Sequence, residues 1–493
     1  MAKKEKKTQI EELLELVDDL GVMVVDQNGT PFMKSQDGEQ HKVTSIQSVS
    51  FLDLLRHQYL ESYGKLAFSP NLKEVIDHLG SMARNSGDTI TTAIRNAYSD
   101  KYAYVDSAND KGQIIKIDKN GWSYSTEPNV CFTQSSSMGA LPTPVDDGNF
   151  VDLIEPYLNL ADDNARYLVI TFLVSYFLDL PSKCILLVNG EQGSGKTSFT
   201  KLIRELLDPS IVKTQPTPSS KDDLMVAAVN SALLCIDNVT KISPAMMDIL
   251  CQLSTGAGFR KRMLYTNLDE VIVQLSRSMV INGISADMIS ATDLLSRSIQ
   301  VMLPAIIGNN RLIETEFWDN FYNDRPKILG GLYTLVGQVI AVIDDVKLDN
   351  AMRMTDFCKV GVAVERVLAW PENSFMDALK AMQAEAMEIA LESDVTATGI
   401  QKVMANRTHW EGTAEGLLSQ MNDYCGFDLT SQATWPKSAR SLGIKLSKIM
   451  PALREQGIVI EKTKSGPRKI TITNIAVTRP EKPESPLSKF DAT

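Results

Sequence analysis

The chain has 493 residues, too many for a single hydrophobic core, so roughly three domains are expected. Its 43% hydrophobic and 23% charged content belongs to a globular protein, and the apolar stretch Tyr167 to Leu178 is too short to cross a bilayer and ends at Asp179. A net charge of −11 argues against a protein that coats nucleic acid over its whole surface, yet the charge is unevenly spread. Between Lys437 and Lys469 stand nine Lys/Arg against two Glu, a local +7 that leaves −18 for the remainder. The opening Met1 to Lys7 is charged and no apolar core follows it, so no secretory signal is expected and a cytoplasmic location is. Six scattered cysteines read as reduced core residues, and four scattered histidines predict no zinc site.

In chain order, a lysine-rich tail precedes an amphipathic stretch, Ile10 to Leu20. Helical patterns follow at Phe51 to Tyr63 and Leu72 to Ala83, then strand-like pieces at Tyr102 to Val105, Gln113 to Ile117 and Gly121 to Tyr124. These predict a small α+β domain over residues 1–134, with a Ser/Gly/Pro-bearing linker over 135–149. From 150 to 305 helices alternate with short apolar strands, the pattern of a parallel sheet covered by helices. Candidate strands are Cys184 to Val188, Ile211 to Lys213, Leu233 to Ile236, Met279 to Ile281 and Ser298 to Met302.

The most specific signal follows the first of these strands. Gly190-Glu191-Gln192-Gly193-Ser194-Gly195-Lys196-Thr197 fills the template G-x-x-x-x-G-K-[ST], and Thr197 to Leu207 has helical apolar spacing. Glycines let successive backbone N–H groups turn inward onto phosphate oxygens at a helix N-terminus. Gly190, Gly193, Ser194, Gly195, Lys196, Thr197 and Ser198 are therefore the expected ATP-binding residues. Lys196 would reach the β- and γ-phosphates and the Thr197 hydroxyl would ligate Mg²⁺. About forty residues on, an apolar strand delivers Asp237, placed to hold Mg²⁺ through water. Asn238 comes next, and an amide can orient water but cannot take its proton. Either hydrolysis is slow, or Asp222 or Asp223 acts as the base, or orientation suffices.

Phe259 to Tyr265 and Val271 to Leu275 are β-prone runs around a polar turn, which predicts a hairpin with Arg260, Lys261 and Arg262 at its base and Asp269 and Glu270 in the turn. Asn282 ends the strand Met279 to Ile281, where it either senses a γ-phosphate or simply forms an Asn-Gly turn with Gly283. Arg297 precedes the last strand, as an arginine finger for a neighbouring subunit or as a surface ion pair.

The order of these motifs resembles AAA+ ATPases close to the superfamily 3 helicases of phages, plasmids and integrated elements. The matching residues are the loop 190–197, Asp237-Asn238, Thr255 to Gly258, Arg262 with Leu264-Tyr265, Arg277 leading to Asn282-Gly283, and Asp293 with Arg297. The resemblance is good over 150–305, looser through the helical region containing Arg353 to Phe357, and weak before residue 100. It implies that Lys196 and Thr197 bind ATP and Mg²⁺, that Asp237 holds the metal, that Asn282 is the first sensor, and that Arg297 acts in trans. It also implies a ring, commonly a hexamer, with the hairpin gripping DNA backbone in the channel.

A helical lid is expected over 306–405 and a last folded unit over 410–475. Leu442, Leu446, Ile449 and Leu453 recur along one helical face, Pro451 interrupts the pattern, and Ile458 to Ile460 and Ile470 to Ile472 flank the turn Lys464 to Pro467. Helices followed by a basic hairpin describe a winged helix, with Lys445, Lys448, Lys464, Arg468 and Lys469 toward DNA. It resembles the terminal module of many phage primase-helicases. Residues 479–493 are expected as a disordered tail. The fold class expected is thus α/β: an AAA+-like P-loop core with a parallel sheet, between a small α+β domain and a helical lid with a winged helix. The function expected is an ATP-driven DNA helicase, translocase or replication initiator, with DNA, self-association and a separate primase or polymerase as partners and no membrane. A nucleotide switch in signalling or anti-phage defence is the alternative, and a small-molecule kinase accounts for the loop but not for the basic C-terminal module.

Overall fold

The computed structural model describes residues 7–35, 41–126, 128–240, 242–256, 258–262, 270–283, 292–307, 313–348, 353–463 and 469–475. The chain divides into two compact units, 1–284 with 296–381, and 285–295 with 382–493. The lysine-rich opening and the proline-spaced C-terminal tail lie outside the described residues.

The first unit opens on α1 (Gln9–Leu20), begun by a capping box in which the Thr8 hydroxyl accepts from Glu11 N–H and the Glu11 carboxylate accepts from Thr8 N–H. After β1 (Gly21–Asp26), β2 (Pro31–Ser35) and β3 (Val43–Ser45) come α2 (Val49–Tyr63), α3 (Ser69–Ser86) and β4 (Asp88–Ile90). These strands form a sheet ordered β3-β2-β1-β4, and the helices bury Leu13, Phe51, Leu55, Leu72 and Leu79 in one cluster. Sequence patterning anticipated the helices but not these strands. Next come β5 (Thr92–Ala93), β6 (Asn96–Ser99), β7 (Tyr102–Asp106), β8 (Ile114–Asp118), β9 (Gly121–Ser125) and β10 (Cys131–Phe132). β6 to β9 form an antiparallel meander that includes the three strands expected there.

Residues 135–149, expected as a linker, are bonded to neighbouring segments. Gly139 N donates to Pro209 O, Leu141 N to Ser107 O and Val145 N to Pro326 O. Beyond them lie α4 (Phe150–Ile154) and α5 (Asp163–Ser175), the latter almost wholly buried. The central sheet is built from β11 (Ile185–Gly190), β12 (Leu233–Ile236), β15 (Ser278–Asn282) and β16 (Ser298–Leu303). Along the chain these are separated by α6 (Lys196–Leu207), α7 (Lys221–Asn230), α8 (Pro244–Ser254), the hairpin β13 (Gly258–Arg262) and β14 (Glu270–Gln274), and the short α9 (Thr292–Leu295). All pairings are parallel and the order is β12-β15-β11-β16. Every residue of β12 and β15 is buried, as in a sheet covered on both faces.

Ile211 to Lys213 is not a strand. Isolated bridges flank the segment, Ser210 antiparallel with Met138 and Gln215 parallel with Ile236, and Ile211 and Val212 are exposed. The β-branched pair Ile211-Val212 has the local signature of a buried strand, but burial is a tertiary property.

α10 (Glu314–Val342), α11 (Thr355–Val367) and α12 (Ser374–Ser393) follow. The helical stretch Glu314–Asp345 is long and apolar enough to cross a membrane by composition, but its most apolar window is 61% buried within the fold. It packs against α4, β8, β9 and α11, the behaviour of a core helix.

In the second unit α13 (Val395–Met404), β17 (His409–Gly412), α14 (Ala414–Tyr424), α15 (Phe427–Thr430), α16 (Ala439–Glu455), β18 (Ile458–Lys462) and β19 (Ile470–Asn474) share one core. Leu442, Leu446, Ile449 and Leu453 are buried as their spacing predicts, and Pro451 is accommodated inside α16. The sheet has three strands, β17-β19-β18, where two were expected.

Candidate functional site

Because the four core strands are parallel, their C-terminal ends share one edge, where α/β sheets bind ligands. The loop from Gly190 to Gly195 turns there from β11 into α6. Gly190 has φ 153°, and a Cβ on it would lie 2.5 Å from Ser194 Oγ and 2.7 Å from Leu303 O, so any side chain would open the turn. Gly195 caps α6 in the left-handed region at φ 83° without a side-chain hydrogen bond. The first N–H groups of α6 thus have no helical acceptor and form an anion-binding end. Lys196 Nζ donates to the carbonyls of Gly190 at 2.6 Å and Glu191 at 2.8 Å, spanning the loop. Ser194 Oγ is buried with no hydrogen-bond partner among the described residues.

Two segments distant in sequence meet beside this end. Thr197 Oγ1 donates to Asp237 Oδ1 at 3.1 Å, and Thr214 Oγ1 donates to Asp237 Oδ2 at 3.4 Å. A carboxylate with a threonine hydroxyl on each oxygen is an oxygen-rich pair of the kind that suits a hard divalent cation. Asn238 follows in the left-handed region, φ 55°, which Asn tolerates better than most residues, and its side chain is exposed.

Asn282, from the neighbouring strand β15, is 1% exposed and committed at both ends of its amide. Its Oδ1 accepts from Asn238 N at 2.9 Å, and its Nδ2 donates to Thr200 Oγ1 at 2.7 Å. It therefore clamps α6 to the turn carrying Asp237. Thr200, Thr214 and Asn159 belong to this site and were not anticipated. Asn159 Nδ2 donates to Ser194 O at 3.0 Å and to Pro304 O at 2.8 Å, pinning the loop to the segment after β16. None carries a local motif, since each acts through a partner far along the chain.

Asp222 and Asp223 lie in the first turn of α7. Hydrogen bonds from the Ser219 and Ser220 hydroxyls hold the Asp223 carboxyl below its ordinary range, which makes it a weaker base. Among the described residues neither aspartate is bonded to Thr197, Asp237 or Asn282.

Arg297 precedes β16, whose Ser298 pairs with Ile185 and whose Leu303 pairs with Gly190. It stands at the opposite end of the strands from its own loop, about 20 Å away along β16. The hairpin register runs from Gly258 opposite Gln274 to Arg262 opposite Glu270. This corrects the expectation for the basic cluster: Arg260, Lys261 and Arg262 climb toward the turn, Arg262 being the last paired residue, and the hairpin base is at Gly258. The turn itself, with Leu264, Tyr265 and Asp269, lies outside the described residues.

In the second unit, several cations expected toward DNA are engaged within the fold. Lys469 Nζ pairs with Glu411 Oε1 at 2.6 Å, which raises the lysine's pKa and lowers the glutamate's. Lys445 Nζ donates to the Thr434 carbonyl. Lys462 Nζ donates to Gly443 O at 2.8 Å and Ser447 Oγ at 2.7 Å, and partial burial lowers its pKa. Lys448 is exposed, with Arg440 two turns earlier and Ile444 between them, on the side of α16 opposite its buried leucines. Lys437, just before the Ser438 cap, is exposed too. Lys464 and Arg468 lie outside the described residues.

Residues 151–384 match the family model described as actinomycete integrative conjugative element replication protein, and residues 396–485 match that of the RepA C-terminal domain of the same elements. The two matches together take in well over half of the chain. It belongs to this RepA replication-protein family. The first RepA match contains the glycine loop, Asp237, Asn282 and Arg297, and the RepA C-terminal match contains α13 to β19 with the exposed face of α16. No curated protein matches the chain. Among solved structures, two apo structures titled as the NrS-1 C-terminal region are similar to it at 14% and 12% identity. Each covers 95% of this chain, with 99% and 100% of the other chain covered and a TM-score of 0.40, too loose a superposition to carry an argument.

Proposed function

We propose that this RepA-family protein is an ATP-driven DNA motor, a helicase, translocase or replication initiator of a mobile element. The observation that carries this reading is the meeting of Thr197 and Asp237 at 3.1 Å beside the open N-terminus of α6. The donor set fits ATP with Mg²⁺: cationic Lys196, uncapped N–H groups, and a hydroxyl–carboxylate pair of hard oxygens. Lys196 would leave the loop carbonyls for the β- and γ-phosphates, while Thr197 and Asp237 would hold Mg²⁺, which when bound draws charge off the phosphates. Asn282 keeps the Asp237 turn in register with α6. Arg297, too far from its own loop, would serve a neighbouring subunit, which calls for self-association into a ring such as a hexamer. The parallel core resembles the AAA+-like P-loop class. The core of the second unit, helices α13 to α16 with a three-stranded sheet, suits a winged helix that holds DNA. Priming would fall to a separate primase or polymerase.

DNA-stimulated ATP hydrolysis tests the proposal. Turnover that single-stranded or forked DNA leaves unchanged, with no unwinding, would sink it. Lys196→Ala and Arg297→Ala should each abolish turnover, and mixing them should restore part of it, because a mixed ring contains intact interfaces. No rescue at any ratio excludes the trans role. One observation favours a second reading, a slow nucleotide switch: Asn238 offers no carboxylate where water would be activated. Slow, DNA-independent hydrolysis with an ATP-dependent change in oligomeric state would support it.

A further inference from the structure

At the opposite edge of the central sheet, where the strands begin, a cleft of about 740 Å³ opens between the sheet and the N-terminal strands. Its floor carries Lys183 and Arg277. Each stands two residues before a register pair, Ile185 with Met279, so the two cations occupy matching positions at the start of neighbouring strands. Both backbones are tied to the end of α8: Lys183 N donates to Ser254 O at 2.7 Å and Arg277 N to Leu253 O at 3.0 Å. Arg277 Nε donates to Ala228 O and Nη1 to Ser276 O, while Nη2 has no hydrogen bond among the described residues. Lys183 Nζ uses a single donor, to Leu178 O at 2.6 Å.

These cations lack a full counter-charge. Burial and the neighbouring guanidinium push the Lys183 ammonium down to about 8, opposed by Asp179 alone, and burial pushes Arg277 down to about 10. Asp208, which acts on Arg277, is already bonded by Arg95 and Arg204. Ile94 and Tyr98 also line the cleft, whose volume is large enough for a nucleotide. We propose that this cleft is a second phosphate site, distinct from the glycine loop, which takes the phosphate of a nucleoside: a free nucleotide or the phosphorylated end of a strand. The anion relieves two adjacent, under-partnered cations, and Tyr98 covers the nucleoside.

The test is calorimetric titration of the full chain carrying Lys196→Ala, with pyrophosphate, adenosine monophosphate and a 5′-phosphorylated trinucleotide as probes. One saturable site is expected for a nucleoside-bearing probe, weakened at least tenfold by Lys183→Gln and by Arg277→Lys. Tyr98→Ala, elsewhere in the lining, should weaken the nucleoside probes and spare pyrophosphate. Its melting temperature should match the parent's, which keeps the test decisive if a floor variant misfolds. Preference for the mononucleotide names a free nucleotide as the ligand, and preference for the trinucleotide names a strand end. No saturable binding of any probe overturns the proposal, as does affinity unchanged by Lys183→Gln, Arg277→Lys and Tyr98→Ala alike.

Discussion

Asn282 shows how much one buried amide can hold. Its carbonyl oxygen satisfies Asn238 N–H, and its NH₂ reaches Thr200 on α6. Asn282→Ala leaves buried polar groups without partners, and each such group costs about 1–3 kcal/mol. The variant should therefore lose about 2 kcal/mol in urea denaturation, with Thr200→Val losing less because Asn282 then keeps its bonds with Asn238 N at 2.9 Å and Lys196 O at 3.4 Å. A midpoint unchanged by Asn282→Ala would show that the clamp is not formed. Asn238 makes a separate point, since its left-handed backbone selects the residue before any chemistry does. Asn238→Gly should leave stability unchanged or slightly raised, whereas Asn238→Val should cost about 1–2 kcal/mol. A Glu introduced there meets the same backbone cost, so a gain in hydrolysis from Asn238→Glu should come with lower stability. Equal denaturation curves for the Gly and Val variants would refute the conformational argument.

Among elements, α16 divides its cations by what they touch. Lys445 donates to the Thr434 carbonyl, and Lys462 of β18 reaches back to Gly443 O and Ser447 Oγ of the helix, while Arg440 and Lys448 stand clear on one face. If that face meets the DNA backbone, Arg440→Ala and Lys448→Ala should each weaken binding across sequences and reduce the salt slope by about one counterion. Lys462→Met should instead lower the stability of this unit more than it changes the slope. Equal slopes for Arg440→Ala and the parent would move the DNA surface elsewhere. The heptad-like leucines of α16 were legible because helical burial follows a local period. The free cations were not, because a lysine's partner can lie far along the chain, as Glu411 does for Lys469.

Across the first unit, a buried ionic cluster joins three regions of the chain. Arg95 of the N-terminal region, fully buried, donates through Nε to Asp208 Oδ1 at 3.1 Å, and Arg204 on α6 approaches Asp208 Oδ2 at 3.3 Å. Asp208 Oδ2 also accepts from Ala232 N and Leu233 N at the start of β12. One turn away, Glu205 meets Arg325 of α10 at 3.4 Å. The helix that begins at the glycine loop thus ends in a cluster shared with the N-terminal region and α10. Asp208→Ala strands two buried guanidinium groups, a loss expected to cost about 3–5 kcal/mol. Denaturation of the full chain should show it, and a cost below 1 kcal/mol would mean that water or other groups replace the carboxylate.

By itself the sequence determined what short-range chemistry controls. The glycine template needs no partner to turn the chain at a strand end, the hairpin strands announce themselves by β-prone composition, and the leucine spacing of α16 marks its buried face. The tertiary structure alone decided the strand order that sets Asn282 between α6 and Asp237, the meeting of Thr197 with Asp237, and the pairing of Lys469. It also decided that Ile211 to Lys213 stays outside the sheet, and that Arg262 lies at the turn end of its hairpin. These are contacts and registers between residues distant in sequence, whose energies depend on burial and geometry that no local pattern encodes.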